Sequence, residues 1–106
     1  MEPPDPRLER AKQAAFRLLS YRMLPAAELA GRLQERGFAG DVAAAAVART
    51  QELGLQSDEA FARGFARAKW QASVWSPKRI ELELRRRGLE QRLISAALLE
   101  VFGDEG

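Results

Sequence analysis

The sequence predicts an all-α protein built from tandem three-helix repeats, two units with about six helices, forming an elongated helical array. Its 106 residues include 19 Ala and 14 Leu, which favour helix, but only 6 Val and Ile, which favour sheet. Prolines and capping residues recur where apolar stripes of helical spacing begin, and glycines recur where the stripes end. The same pattern of core and cap residues also occurs twice along the chain.

The first repeat is predicted over residues 6–54, behind a flexible N-terminal tail at residues 1–5. Each of its three helices starts at a residue suited to a helix N-terminus, and the later two end at glycines that can adopt the left-handed conformation. The starting residues are Asp5-Pro6, Pro25 and Gly40-Asp41, and the helices end near Met23, Gly37 and Gly54.

The second repeat is predicted over residues 55–103 and uses the same signals. Ser57, followed by two acidic residues, can cap its first helix, because first-turn acids suit the positive end of the helix dipole. Ser76-Pro77 starts the next helix, Gly88 ends it, and the last helix ends at Gly103. We expect the first of these helices to bury a stripe formed by Phe61, Phe65, Ala68 and Ala72.

The repeat itself is supported by seven core or cap positions that align at a spacing of 51 residues. Pro25 and Pro77 are 52 residues apart, a slip of one. A glycine followed by a large apolar residue in both units favours a true repeat over a chance likeness of amphipathic helices. Leu29, Leu33, Gly37, Phe38, Val42, Ala46 and Val47 align with Ile80, Leu84, Gly88, Leu89, Leu93, Ala97 and Leu98.

The composition excludes most catalytic and metal chemistry. The chain has no His and no Cys, so a disulfide framework, an imidazole or thiolate metal site and a His-activated nucleophile are ruled out. No glycine-rich phosphate loop follows a strand. We therefore expect no enzyme activity, no catalytic residue, no metal, no cofactor and no small-molecule substrate. No signal peptide or membrane-spanning run is found in the sequence, and we expect a cytoplasmic monomer.

The net charge of +2 is unevenly distributed along the chain. Residues 63–92 hold nine basic and three acidic residues, whereas the rest of the chain has a net charge of −4. A basic stretch that includes an off-stripe tryptophan is a candidate surface for an acidic partner or for nucleic acid. The candidate residues are Arg63, Arg67, Lys69, Trp70, Lys78, Arg79, Arg85, Arg86, Arg87 and Arg92.

The three consecutive arginines at 85–87 also have a structural interpretation. Cations in the last turn of a helix complement its dipole, and Arg87 can pair with Glu83 one turn earlier. Residues seven apart share a helix face, so the better contact candidates are two pairs. These pairs are Arg79 with Arg86, and Lys78 with Arg85.

The two tryptophans leave alternatives open. Trp70 points away from the stripe that contains Phe61 and Phe65. Either its helix is buried on two sides because it joins the repeats, or Trp70 is an exposed aromatic anchor among arginines. Trp75 precedes the Ser76 cap, where it can pack onto the first turn of the following helix.

Three motifs together resemble the RecX family, and the likeness runs from about Ala11 to Val101. Residues 53–62 are similar to its signature of glycine, an apolar residue, an acidic pair and Phe-Ala. The other two motifs are Glu-Leu-x-x-x-Leu before basic-Gly, and Ile-x-x-Glu-Leu-x-x-basic-Gly-apolar. Their residues here are Glu28, Leu29, Leu33, Arg36 and Gly37, and then Ile80, Glu83, Leu84, Arg87, Gly88 and Leu89.

The resemblance implies a bacterial regulator made of tandem three-helix repeats, without catalytic activity. Such proteins bind the RecA recombinase, typically as its filament on single-stranded DNA, and usually inhibit its ATPase, strand-exchange and coprotease activities. Family members commonly have three repeats, whereas this sequence has two. Ser76 also stands where the family often has glycine.

Two other functions stay open at the level of sequence. The segment from Pro77 through Gly88 and the helix after it has roughly the shape of a DNA-binding helix-turn-helix, although Arg92 is the one basic residue on that second helix. A helical scaffold without a nucleic-acid role is the third. The RecX-like interpretation is compatible with weak DNA binding that salt disrupts and sequence does not affect.

Overall fold

A computed structural model of the chain describes residues 5–103, and six α-helices account for most of them. A π-helical segment, Lys69–Ser73, continues the fourth helix, and no strand occurs in this part of the chain. The predicted all-α class is therefore confirmed, whereas the predicted flexible tail lies, apart from Asp5, outside the described residues. The helices are α1 Pro6–Tyr21, α2 Ala26–Glu35, α3 Gly40–Glu52, α4 Asp58–Ala68, α5 Pro77–Arg86 and α6 Gln91–Phe102.

Side-chain caps start α1 and α5. The Asp5 carboxylate accepts a hydrogen bond from the Arg7 backbone N–H at 2.9 Å, and the Ser76 hydroxyl accepts one from the Arg79 N–H at 3.2 Å. Pro25, in contrast, is itself the N-cap of α2 and not its first helical residue. The N-caps Pro25 and Ser76 are thus 51 residues apart, like the other equivalent positions. The two prolines are 52 residues apart because Pro25 is a cap whereas Pro77 follows one, and no residue is inserted.

Three helices end in the same glycine motif. Gly37, Gly54 and Gly88 have φ values of 99°, 74° and 89°, a conformation that side chains with a Cβ rarely adopt. After each glycine, the next backbone N–H bonds back to a carbonyl five residues earlier, as in a Schellman cap. These bonds are Phe38 to Leu33 (3.2 Å), Leu55 to Thr50 (2.9 Å) and Leu89 to Leu84 (3.3 Å).

The chain forms two compact units, and the division falls after Ser57. Unit 1 contains α1–α3 and unit 2 contains α4–α6, whereas the sequence places the division after Gly54. Gln56 is tied into unit 1, since its side-chain amide donates a hydrogen bond to the buried Leu24 carbonyl at 3.1 Å. That bond satisfies polar groups that would otherwise be costly to bury.

Each unit has its own core, in which the first helix packs mainly on the third. The 51-residue spacing extends beyond the predicted pairs, because Ala11 and Ala15 correspond to Ala62 and Ala66, all four fully buried. The unit 1 core is Ala11, Ala15, Leu18, Leu24, Leu29, Leu33, Val42, Ala43, Ala46 and Val47. The unit 2 core is Ala62, Ala66, Ile80, Leu84, Leu89, Ile94 and Ala97.

The predicted buried stripe of α4 is wrong in part. Ala68 and Ala72 are exposed, and Phe61 and Phe65 are half-buried at the margin of the core. The face that packs on α6 carries Ala62 and Ala66 instead. Small side chains let the two helix backbones approach closely, which the larger Phe rings would prevent.

Candidate partner-binding surface

Three aromatic rings form a cluster beside α5 in unit 2. Phe61 and Phe65 are stacked, with ring centroids 5.8 Å apart, and Trp75 meets Phe65 edge-on at 6.0 Å. We call Phe61, Phe65 and Trp75 the aromatic cluster. Trp75 is half-buried and lies just before the Ser76 cap, so it attaches the start of α5 to α4.

Basic side chains cover the aromatic cluster. The Arg79 guanidinium lies 3.8 Å from the centre of the Trp75 ring, and the Lys69 Nζ lies 4.7 Å from the same ring. Arg87 stacks on Phe65 at 4.9 Å and also pairs with the Glu83 carboxylate at 3.3 Å. Cation–π contacts of this kind contribute about 0.5–2 kcal/mol each, depending on exposure. Lys69 and Arg87, both half-buried, therefore have structural contacts within unit 2.

The π-helical segment carries Trp70 on the chain's path from α4 to α5. Trp70 is 44% exposed and packs edge-on against Phe102 of the same unit, with ring centroids 5.0 Å apart. The segment ends at Val74, whose φ of 53° is unusual for a β-branched residue. Strained backbone of this kind and π-helical turns are both common at functional sites.

The outer face of α5 forms an open groove that is lined by two arginines, by Glu83 and by apolar side chains. Arg79, Leu82 and Arg86 follow helical spacing along this face, and Trp75 closes one end. Leu82 is 50% exposed, and the Arg86 side chain is 82% exposed although it pairs with Glu83 at 3.4 Å. We call this feature, about 230 Å³ in volume, the α5 groove.

The second predicted pair, Lys78 and Arg85, lies around a carboxylate. Glu81 accepts a hydrogen bond from the Lys78 ammonium at 3.1 Å, and the Arg85 guanidinium is 3.7 Å away. The hydrogen bond from Lys78 holds the pKa of Glu81 below its ordinary value. Arg85 also donates to the side-chain oxygen of Gln91 at 2.8 Å. Each of the two pairs thus has one acidic neighbour, Glu81 here and Glu83 at the α5 groove. The α5 groove differs in its exposed apolar side chain, Leu82.

The remaining candidates are dispersed over unit 2. Arg63 pairs with Glu59 at 2.8 Å and with Glu100 at 3.4 Å, and these three residues line a separate groove between α4 and α6. Arg92 pairs with Glu90 at 3.1 Å. Arg67 is exposed and makes no ion pair with any residue in the described range 5–103. The candidate residues therefore do not form one continuous surface.

Sequence reasoning missed a basic groove in unit 1. Arg10 and Arg36 line two adjoining open cavities of about 380 and 360 Å³, the first shared with Arg7 and the second with Arg17. We call these four residues the arginine groove. Arg7, Arg10 and Arg17 are spaced by three and seven residues, which places them on one face of α1. That spacing is the signal in the sequence that could have identified the groove.

Residues 5–103 contain no cluster of metal-binding side chains and no helix that could span a membrane. Within that range no group of three acidic side chains is placed to hold a metal ion. Among the helices of the same range, none has the length and apolar character needed to cross a bilayer.

Comparison with known proteins places both units in one family. The model for the first three-helix domain of RecX matches residues 11–49, and the model for its second three-helix domain matches residues 57–98. The chain belongs to the RecX family. The two RecX domain matches lie within unit 1 and, apart from Ser57, within unit 2.

Individual RecX proteins agree with this assignment. The regulatory protein RecX of Caldanaerobacter subterraneus subsp. tengcongensis is 38% identical over 95 residues, covering 90% of this chain and 48% of that protein. The regulatory protein RecX of Mycolicibacterium smegmatis is 36% identical over 98 residues, covering 92% and 52%. The chain thus spans about half the length of the curated relatives it matches. These relatives are named regulatory proteins, and the family is non-enzymatic.

A solved RecX structure shows the same fold. The crystal structure of RecX from Lactobacillus salivarius superposes with a TM-score of 0.84 at 23% sequence identity. The superposition covers 89% of this chain and 61% of that chain. The fold built from three-helix units is therefore one that an experimentally determined RecX also has.

Proposed function

We propose that this chain is a non-catalytic regulator that binds a RecA-type recombinase filament on single-stranded DNA and inhibits its activities. The observation that carries the proposal is that both three-helix units match RecX domains in order. The names of the relatives, regulatory protein RecX, support a regulatory role. The activities to be inhibited are ATP hydrolysis, strand exchange and coprotease stimulation, as the family resemblance implies.

The α5 groove is the surface that we assign to the recombinase. Arg79 and Arg86 flank the exposed Leu82, and Trp75 provides an aromatic wall. Tryptophan and arginine around an apolar centre are the residue types that dominate binding energy at protein interfaces. The chemistry suits a partner segment that combines acidic side chains with one bulky apolar side chain.

Single-stranded-DNA-dependent ATP hydrolysis by the cognate recombinase tests the proposal. The protein in stoichiometric excess at low salt should lower the hydrolysis rate. The variant R79Q/R86Q should need about tenfold more protein for the same inhibition, a combined loss of about 1.4 kcal/mol, since arginine is enriched among the residues that dominate binding energy at interfaces. An absence of inhibition by the parent protein would contradict the function itself.

The matched control is K78Q/R85Q, which removes the same charge from the other face of α5. Its inhibition should stay within about threefold of the parent, because neither side chain lines the α5 groove and their ion pairs with Glu81 are exposed. Equal losses in the two variants would show that net charge matters and the α5 groove does not. Circular dichroism establishes that each variant keeps its helix content.

A further inference from the structure

Three of the four cations in the arginine groove of unit 1 are not paired with any acidic side chain among residues 5–103. Arg10, Arg17 and Arg36 are exposed and make no ion pair with any residue between 5 and 103. Arg7 pairs with Asp5 at 3.5 Å, but its side chain remains 70% exposed. Glu9, which also lines the groove, is paired with Lys12 at 3.2 Å. Unpaired like charges that converge on one cavity create a positive potential that attracts an anion.

The geometry of the groove is linear. Arg7, Arg10 and Arg17 lie along one face of α1, and the helix rise of about 1.5 Å per residue spreads them over about 15 Å. Arg36 follows the end of α2 and lines both cavities beside this row. A straight row of guanidinium groups matches an extended polyanion better than it matches a single small anion.

The equivalent place in unit 2 explains why the groove is open. At the 51-residue spacing, Arg10 and Ala14 correspond to Phe61 and Phe65, while Arg36 corresponds to Arg87. In unit 2 the two rings stack on each other and Arg87 covers them. In unit 1 the small Ala14 leaves the space empty, and Arg36 has no ring beneath it, so its guanidinium is available to a ligand.

We propose that the arginine groove binds the phosphodiester backbone of a nucleic acid strand, independently of base sequence. Guanidinium groups bind phosphate oxygens through paired hydrogen bonds and keep their charge at any physiological pH. A row of about 15 Å is long enough to contact consecutive phosphates of one strand. Apart from the arginines, the residues that line the groove are mainly apolar or small. We therefore expect the groove to bind the strand without reading its base sequence. This site requires no recombinase and stands apart from the α5 groove.

Fluorescence anisotropy of a labelled thymidine oligonucleotide, titrated with the protein over a series of salt concentrations, tests the site. The groove variant R10Q/R17Q/R36Q should bind at least about tenfold more weakly at low salt. Its plot of log affinity against log salt should be shallower by about two, because each single-strand phosphate contact contributes about 0.7 to the slope. The control K78Q/R85Q/R92Q removes the same charge from unit 2 and should stay within about twofold of the parent, because acidic side chains already pair with all three residues.

Three outcomes would overturn the assignment. In the first, the groove variant binds the oligonucleotide as tightly as the parent does. In the second, the unit 2 control loses the binding instead. The third is a labelled polyglutamate chain of matched length binding the parent more tightly than the oligonucleotide and losing that affinity in the groove variant. That result would reassign the groove to an acidic protein segment. Because no recombinase is present, failure here leaves the ATPase test unaffected.

Discussion

The two units share a core but differ in the space between their first helix and the end of their second. In unit 1 this space is the open arginine groove, and in unit 2 the aromatic cluster and Arg87 fill it. The residues that differ, such as Ala14 and Phe65, lie at the margin of the core, whereas equivalent buried residues such as Leu33 and Leu84 are the same. A three-helix repeat can therefore keep its fold while its margin acquires a different chemistry.

The largest effect is expected from the shared core. Leu33→Ala and Leu84→Ala each remove a fully buried side chain at equivalent positions. Each should lower the free energy of unfolding of its own unit by about 2–5 kcal/mol, through lost burial and the cavity that remains. Amide hydrogen exchange, followed separately in α2 and α5, measures both losses. If either unit lost less than about 1 kcal/mol of unfolding free energy, the two cores would not be equivalent.

Phe65→Ala tests what the aromatic cluster contributes. The ring contacts Phe61 and Trp75 and lies under Lys69 and Arg87, but it is half-buried. We expect unit 2 to lose about 2–3 kcal/mol, somewhat less than a fully buried Phe→Ala change costs. Leu99→Ala in the exposed part of α6 is the control and should cost about 0.5 kcal/mol or less. Chemical denaturation measures the free energy of unfolding of both variants. Equal losses in the two would show that the aromatic cluster adds no stability.

The helix-ending glycines should behave alike in the two units. Gly37→Ala and Gly88→Ala place a Cβ on residues with φ near +90°, so each should cost about 1–2 kcal/mol. No atom lies within 4 Å of a Cβ built on Gly37, so its cost is conformational. Gly31→Ala, inside α2 and equally unobstructed, should instead stabilise by about 0.5–1 kcal/mol. Thermal unfolding measures all three, and a loss for Gly31→Ala would contradict this distinction.

The smallest expected effect is on folding stability at low pH. The backbone N–H of Arg7 lowers the pKa of Asp5 in unit 1, and the Lys78 ammonium lowers the pKa of Glu81 in unit 2. A lowered pKa in the folded state gives stability that is present above the ordinary values of 3.8 and 4.5 and is lost as pH falls through the folded values. Asp5→Asn and Glu81→Gln should each flatten the acid side of the stability profile, measured by denaturation from pH 6 down to about 3. Unchanged profiles would show that these contacts do not persist in solution.

Much of the fold could be predicted because its signals are local. A capping side chain such as Ser76 and a left-handed glycine such as Gly88 act within one helix turn, so the sequence around them is sufficient. The buried pairs followed from the same logic, since Leu33 and Leu84 occupy matching positions before matching glycines.

The site was harder to predict because side-chain pairing depends on tertiary neighbours. Helix spacing separated Arg86 from Arg87 and gave the latter a partner in Glu83, but it could not show that Arg86 is exposed at the α5 groove or that Arg87 covers Phe65. Adding charge along the sequence hid the arginine groove, since acidic residues such as Glu9 lie between its arginines in sequence but pair elsewhere. The π-helical segment also changed the periodicity that had placed Ala72 on the buried stripe.

The hydrogen bond from Gln56 to the Leu24 carbonyl has a consequence for synthesis on the ribosome. Its partners are 32 residues apart, so the carbonyl is translated long before the amide that bonds to it. At about 5–20 residues per second the interval is about 2–6 seconds, far longer than helices need to form. A released chain that ends at Gly54 thus contains the helices of unit 1 without this closing bond. We expect such a chain, freed from the ribosome, to be cut by protease near Leu24 more readily than a chain that ends at Ser57.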